Sequence, residues 1–494
     1  MKKDLYRSRV KESMDKNVLN FLSSLVDDLW IINEDIIGTE AHDIMLYEQG
    51  IITKNEIREI LISLDKIKKK IIQGKFTLKD DFEDIHPFIE YNVIEDIGMN
   101  SGGKIHTGRS RNDQVSVDLR LKIRTELNDL SNNIFNLSDT LLKLSKTSMG
   151  TYIPLYTHFQ RAQLGQFSHY INYYIAQILR VEERINEAYK RINKNPLGAC
   201  AVGGTSINID RKRTTELLGF DGLIENSIDA ISSRDYIIEI LMILSLLALQ
   251  FSRISEDLLV WSTKEFNFID LDEKFCSVSS VMPQKKNPDT LELIRSKSSI
   301  ISSNSFKASM IIKAIPSGYF RDFQELKPIV KESFDLVNSI IEILNGIFST
   351  MKINQESMKK AIYESNILAL DLAEMLVNEY KIPFRIAHQI IGDIVRSSEK
   401  PEELFDIERI ETKILDMGTN NIKISSNLIE NLKDIKKCLE KRISIGSPSN
   451  KNVKAYLNCL TDEKQILFEK YLKRVRKIKE ADILRNKVIQ GLIL

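Results

Sequence analysis

Cysteine is scarce in this sequence: among 494 residues only Cys200, Cys276, Cys438 and Cys459 occur, far apart and without a C-x-x-C pair. That spacing excludes a disulfide framework and a cysteine zinc site, and it fits a reducing cytoplasm. Histidine is nearly as rare, and His42, His86, His106, His158, His169 and His388 show no paired metal spacing, so neither a metal nor an organic cofactor is expected. With 10 Pro and 20 Gly the chain is neither collagen-like nor low in complexity. Charge of neither sign prevails: 70 Lys+Arg face 69 Asp+Glu, leaving no global field to draw nucleic acid or an anionic membrane. The Lys66, Lys68, Lys69 and Lys70 cluster reads as a solvated helix face. The most apolar stretch, from Tyr236 to Phe251, is interrupted by Glu239 and Gln250 and falls short of the ~20 residues of a membrane span, so a buried bundle helix is expected. The first residues, Met1 to Arg7, are charged and lack the apolar core of a secretion signal.

What the chain does have is helical periodicity. Leu119, Ile123, Leu127, Leu130, Ile134, Leu137, Leu141 and Leu144 recur at steps of three and four, the stripe of one long amphipathic helix. Val330, Phe334, Val337, Ile341 and Leu344 form a second stripe that follows Pro328 and is expected to stop before Gly346. Residues 161–193 and 235–263 also have a helical pattern, while strand-like alternation is scarce. The fold class is therefore all-α, around a central bundle of long helices. Breaks near Ser101 to Gly103, near Asn195 to Gly198 and after Met351 suggest an N-terminal helical domain (1–108), a central bundle (109–361) and a small C-terminal helical domain (362–494).

Several segments are dense in chemistry-bearing residues. Gly98 to Lys104 satisfies G-x-x-x-x-G-K, but Ile105 stands where a phosphate loop needs Ser or Thr, and no flanking strand is evident. The polar run His106 to Gln114 pairs Arg109 and Arg111 with Ser110, Asn112 and Gln114 directly before the long helix. Guanidinium forks and amide or hydroxyl donors at a helix start suit a dicarboxylate. Tyr156 to Gln163 places His158 beside a hydroxyl and an amide, and Ser279 to Asp289 joins hydroxyls, Lys285, Lys286 and Asn287 across two prolines, as a loop closing over an anion would.

The segments HTGRSRNDQ (from His106), THFQRAQ (from Thr157) and SSVMPQKKNPD (from Ser279) resemble the three sequence blocks of the fumarase/aspartase superfamily, and their wording is closest to its argininosuccinate lyase family. Asn226 to Asp235, Ser262 to Phe266 and Tyr319 to Lys327 extend the resemblance over most of the chain. The resemblance implies a three-domain fold in a homotetramer whose active sites are each shared by three subunits. It implies elimination of fumarate from an N-substituted aspartate: Ser279 as base, Lys285 and Asn287 holding the carboxylate that gains charge, His158 delivering a proton to the leaving group, and Glu292 orienting it. Ser24, Asp28, Ser110, Arg111, Asn112, Thr157, Tyr319, Gln324 and Lys327 match substrate-binding positions.

The chain departs from the family pattern at several places. Val278 and Cys200 stand where glycine is usual, Leu22 where asparagine is usual, and Leu5 to Val10 replaces the N-terminal W-G-G-R-F. Phe320, Phe323 and Leu326 surround Tyr319. These changes bear on the amine half of the substrate more than on the fumarate half. The leading expectation is cleavage of argininosuccinate to arginine and fumarate in arginine synthesis. The alternatives are a paralogue acting on another N-substituted aspartate and a catalytically silent structural homologue; adenylosuccinate cleavage fits the block wording less well.

Overall fold

The computed structural model describes residue 9 and residues 12–78, 82–418 and 422–494. Of the divergent N-terminal segment only Arg9 is described, so the departures from Leu5 to Ser8 and at Val10 lie outside the described residues. The frame is a set of six long helices: α1 (Arg111–Thr147), α2 (Phe167–Ile192), α3 (Asp235–Ser262), α4 (Asp289–Ile312), α5 (Leu326–Thr350) and α6 (Asn450–Ile493). Their leucine and isoleucine stripes meet in one core that includes Leu119, Ile123, Leu130, Leu137, Ile175, Leu244, Leu247, Ile301 and Val337. This core confirms the all-α class.

Polar pairs between the helices fix their directions. Ser145 bonds Asn172 at 2.6 Å while Arg120 reaches the Arg191 carbonyl at 2.9 Å, so α1 and α2 are antiparallel. Tyr174 with Asp257 (2.7 Å) and Arg191 with Glu239 (2.8 Å) set α3 antiparallel to α2. Arg295 with Glu256, at 2.6 Å, joins the start of α4 to the end of α3. Asn133 with Asn338 (3.0 Å) and Thr140 with Asn345 (2.6 Å) advance together, so α5 runs parallel to α1. The same logic places α6 alongside α2, through Asn172 to the Val453 carbonyl at 3.2 Å and Arg474 to Asn186 at 2.9 Å. Hence α1, α3 and α5 begin at one end of the bundle, here the first end, and finish at the second, where α2 and α4 begin.

Each end carries its own smaller core. Helices Ile32–Glu48, Lys54–Ile72 and Ile85–Ile97 pack around Val117, Leu121, Leu217 and Leu492 at the first end. Residues 362–418 and 422–439 build a separate cluster from Leu372, Ile390, Ile410 and Leu439, which reaches Leu164 at the second end. The expected unit 362–494 therefore spans two packing environments, because α6 lies along the bundle and buries Leu460 and Leu467 in its core.

Three expectations need correction. Residues 161–166 are not helical: Gln160–Gln166 (β2) pairs antiparallel with Tyr152–Thr157 (β1), and the helix begins at Phe167. A distant pairing partner, absent from local periodicity, decides this. Helix α5 does not stop before Gly346 but runs through it to Thr350. The missing side chain there admits the Phe275 ring, which a Cβ would approach to 2.2 Å. Finally, the apolar stretch does not fall short of a membrane span in length, since it belongs to the 28-residue α3, which is long and apolar enough to cross a membrane; the expected place in the bundle stands, with Leu241, Leu244, Leu247 and Phe251 buried in its core. Its ends carry Asp235, Glu239, Arg253 and Glu256.

Gly346→Ala should lower stability despite alanine's better helix propensity, by about 1–3 kcal/mol of overpacking against Phe275. A urea midpoint equal to or above that of the native chain would contradict this.

Candidate active site

At the first end, Ser110 caps α1 in a reciprocal capping box with Asp113. Asp113 does more than cap: one oxygen accepts the Ser110 amide at 2.9 Å, and the other accepts the amides of Gly198 and Cys200, each at 2.9 Å. It thereby ties the helix start to the loop after Asn195. Burial pushes the Asp113 carboxyl up to about 6, against these amides and Arg109. Asn112 donates to the Ala201 carbonyl of the same loop at 2.9 Å. The S-x-x-D spacing was a readable signal for the capping role of Asp113; its bond to the distant loop was not.

Ser24, Asp28 and Lys327 form a buried triad beside this block. Ser24 donates to Asp28 at 2.9 Å, and Lys327 bonds both Ser24 (3.2 Å) and Asp28. The Ile85 amide adds a donor to Asp28 at 3.2 Å. Gln324 and Arg321 donate to the Leu22 carbonyl at 3.3 and 3.0 Å, so the departure at Leu22 presents its backbone to these residues. Arg111 is held by Asp84 at 3.0 Å and Glu83 at 3.4 Å, and Arg321 shares Glu83. Neither acid was singled out from sequence. Tyr319 packs edge-on against Phe323, over which Arg234 lies at 4.6 Å. Burial raises the Tyr319 phenol, opposed by Lys327 and Arg234. The structure thus brings Ser24, Asp28, Ser110, Arg111, Asn112, Tyr319, Gln324 and Lys327 to one end of the bundle.

Beneath the block, Asp35, His86 and Asp118 converge, with one potential ligand atom from each lying within 4.8 Å of the others. Protein donors already engage Asp35: His86 Nδ1 meets it at 2.8 Å and Gln114 donates to the same oxygen at 2.5 Å. Burial opposes the Asp35 charge, yet His86, Arg109 and Gln114 outweigh it and hold that carboxyl low, whereas burial and the Asp35 charge push Asp118 well up. The phosphate-loop match dissolves as well: Met99–Gly102 is a helical turn and Lys104 is paired with Glu56 at 2.5 Å.

The remaining candidates lie at the second end. Thr157 and His158 are exposed at the tip of the β1–β2 hairpin. Ser277–Val278 (β3) and Lys286–Asn287 (β4) form a second hairpin that carries Ser279 and Lys285. Ser279 Oγ accepts the amides of Met282 at 3.0 Å and Val281 at 3.2 Å. Asn287 donates to Ser277 Oγ at 3.4 Å, while Lys286 is committed to Asp270 at 2.6 Å; Lys285 is exposed. Glu292 is exposed on the first turn of α4. Val278 is 82% exposed and extends the strand, so it meets no steric barrier there. Among the described residues no hydrogen bond or ion pair joins these groups to the first-end cluster, or His158 to Glu292.

Residues 8–302 match the family described as Lyase, and residues 366–445 that described as Argininosuccinate lyase C-terminal. The chain is 42% identical over 446 residues to the argininosuccinate lyase of Nitrosopumilus maritimus, covering 90% of each sequence. It is 38% identical over 480 residues to that of Methanocaldococcus jannaschii, covering 96% of this chain and 98% of the other. Among solved structures, EDDS lyase in complex with formate is similar with a TM-score of 0.85 at 25% identity, covering 98% of this chain and 97% of that one. A class II fumarase from Schistosoma mansoni shares the fold, with a TM-score of 0.69 at 14% identity over 87% of this chain and 95% of that one.

Cys200, where the sequence departs from glycine, has a φ of 54°. Cys200→Gly keeps the amide bond to Asp113 and removes the Cβ penalty of the left-handed conformation, so stability should rise by ~1 kcal/mol with turnover unchanged. A lowered urea midpoint would show that packing of the thiol outweighs the strain.

Proposed function

The chain belongs to the argininosuccinate lyase family, and we propose that it cleaves argininosuccinate to arginine and fumarate, the last step of arginine synthesis, as a homotetramer in the cytoplasm. The observation that carries the chemistry is Ser279, whose Oγ accepts two loop amides at 3.0 and 3.2 Å. A serine hydroxyl is a poor base, and amide donors aimed at its oxygen stabilise the oxyanion that could take a proton. In this reading Ser279 removes the β-proton of the succinyl moiety. The electron pair passes first into the neighbouring carboxylate, where Lys285 and Asn287 stabilise the aci-carboxylate. It then forms the carbon–carbon double bond as the Cα–N bond breaks. The leaving nitrogen takes a proton delivered through His158, with Glu292 orienting that histidine. Ser24, Asp28, Ser110, Arg111, Asn112, Thr157, Tyr319, Gln324 and Lys327 hold the substrate.

Geometry supports assembly from several subunits. Helix α1 has 37 residues, about 55 Å at 1.5 Å per residue, and separates Ser110 at its start from the His158 hairpin beyond its end. One chain cannot close that distance around a single substrate; copies packed side by side in opposite directions can. Neighbouring helices α3 and α4 carry apolar side chains that need such cover, among them Met242 (46% exposed), Leu249 (48%), Leu293 (56%) and Phe306 (64%). No dedicated cofactor enters this reaction, since it uses only protons and positioned charges.

A second reading, a lyase for another N-substituted aspartate, is favoured by the likeness to EDDS lyase. Fumarate release, followed by ultraviolet absorbance from argininosuccinate beside a panel of N-substituted aspartates, separates the two. Rapid release from argininosuccinate is expected; release only from another substrate would assign the second reading, and silence on the whole panel the structural one.

Ser279→Ala should lower turnover by about 10²–10⁴-fold with the oligomer intact, and retained activity would remove Ser279 as the base. Mixing subunits of inactive Ser279→Ala and Lys327→Met chains should restore turnover that neither has alone. Failure of correctly mixed oligomers to recover activity would contradict the shared site.

A further inference from the structure

We infer that Arg161 is a positioning residue for His158, holding a backbone turn that the turn's own side chains do not stabilise; this rests on the proposed role of His158 in proton delivery. Thr157 pairs with Gln160 across the hairpin, so His158 and Phe159 form a two-residue loop. Both have positive φ, 54° and 57°. Two-residue hairpin loops with left-handed backbone at both positions favour Asn-Gly, because a Cβ is crowded in that conformation. Consecutive His and Phe persist there only when the surroundings hold them.

Those surroundings are sparse at the tip. Within one chain His158 is exposed and Phe159 is 71% exposed, so neither ring packs on its own subunit to fix the turn. Beneath the tip lies a polar cavity of about 660 Å³, bounded by Tyr156, Phe159 and Arg161 on the hairpin and by Phe266, Ser357 and Ala361 opposite. Across it runs one strong tie: Arg161 donates from Nη1 to the Ala361 carbonyl at 3.0 Å, in the helix Gln355–Tyr363. Directly opposite Arg161 in the register, the Tyr156 ring rests on Phe266 at 5.7 Å. An irregularity between Leu155 and Tyr156 lets the last rungs re-aim relative to the strand below. Arg161 thus anchors the second rung from the strained pair, directly below Thr157 and Gln160, and its loss would let His158 relax toward ordinary backbone while the hairpin base remains held by Gln166 through the Pro448 carbonyl at 2.7 Å.

The test uses the full-length oligomer. Arg161→Ala should lower kcat by about 10- to 100-fold, the scale of a displaced catalytic group, with KM for the lyase substrate within a few-fold. The pH profile of kcat should move along the limb set by His158, and added guanidinium chloride should restore part of the rate. Circular dichroism and the urea midpoint report folding; should the alanine chain not fold, Arg161→Lys serves, with a smaller loss in the same direction. A uniform loss across pH without guanidinium rescue, or wild-type turnover in a folded Arg161→Ala chain, would overturn the inference. His158→Asn is measured in parallel: if it loses turnover and Arg161→Ala does not, only the inference fails; if His158→Asn itself keeps full turnover, the role given to His158 fails.

Discussion

Everything in this molecule depends on the stiffness and length of its helices. An α-helix of 24 to 44 residues is a rod of roughly 36–66 Å, and α1 has Ser110 at its start and the His158 hairpin beyond its finish. Alternating directions then sort the chemistry: hydroxyl, amide and cationic groups collect at the first end, and the His158 and Ser279 hairpins at the second. The distance cannot be shortened by bending, because one continuous apolar core locks the rods together along their length.

Half-buried polar groups between the helices supply the register that apolar packing leaves loose. Leucine and isoleucine faces tolerate sliding, whereas Asn133 with Asn338, Thr140 with Asn345 and Arg474 with Ser131 can be satisfied in one alignment alone. The same economy appears at the sites. Asp113 aligns a helix start with a loop 85 residues further on, and Lys327 joins a helix start to residues near the N-terminus. These long-range bonds explain why substrate-binding candidates far apart in sequence arrive at one place.

The departures from the family pattern carry different physical weight. Val278 lies on an extended, exposed strand where a β-branched residue is at ease. Cys200 lies in left-handed backbone, where its Cβ costs stability. Leu22 contributes a carbonyl, which any residue supplies. The aromatic environment of Tyr319 is the departure with chemical reach, since Phe323 meets its half-buried ring edge-on and carries Arg234 over its own face.

The amino-acid sequence by itself determined the helical class, the stripes that became α1, α3 and α5, and the wording of the family blocks, because periodicity and motif wording are local properties. It mistook residues 161–166 for helix and Gly346 for a helix end, because a strand partner and an incoming Phe275 ring are contacts from elsewhere in the chain. It named Ser110 and Lys327 without showing Asp113, Glu83 or Arg161, which act through bonds to distant backbone or distant charge. Only the tertiary structure decided that the candidate residues divide between two ends of one bundle, since helix direction and length, invisible to a motif, set where each block finally stands.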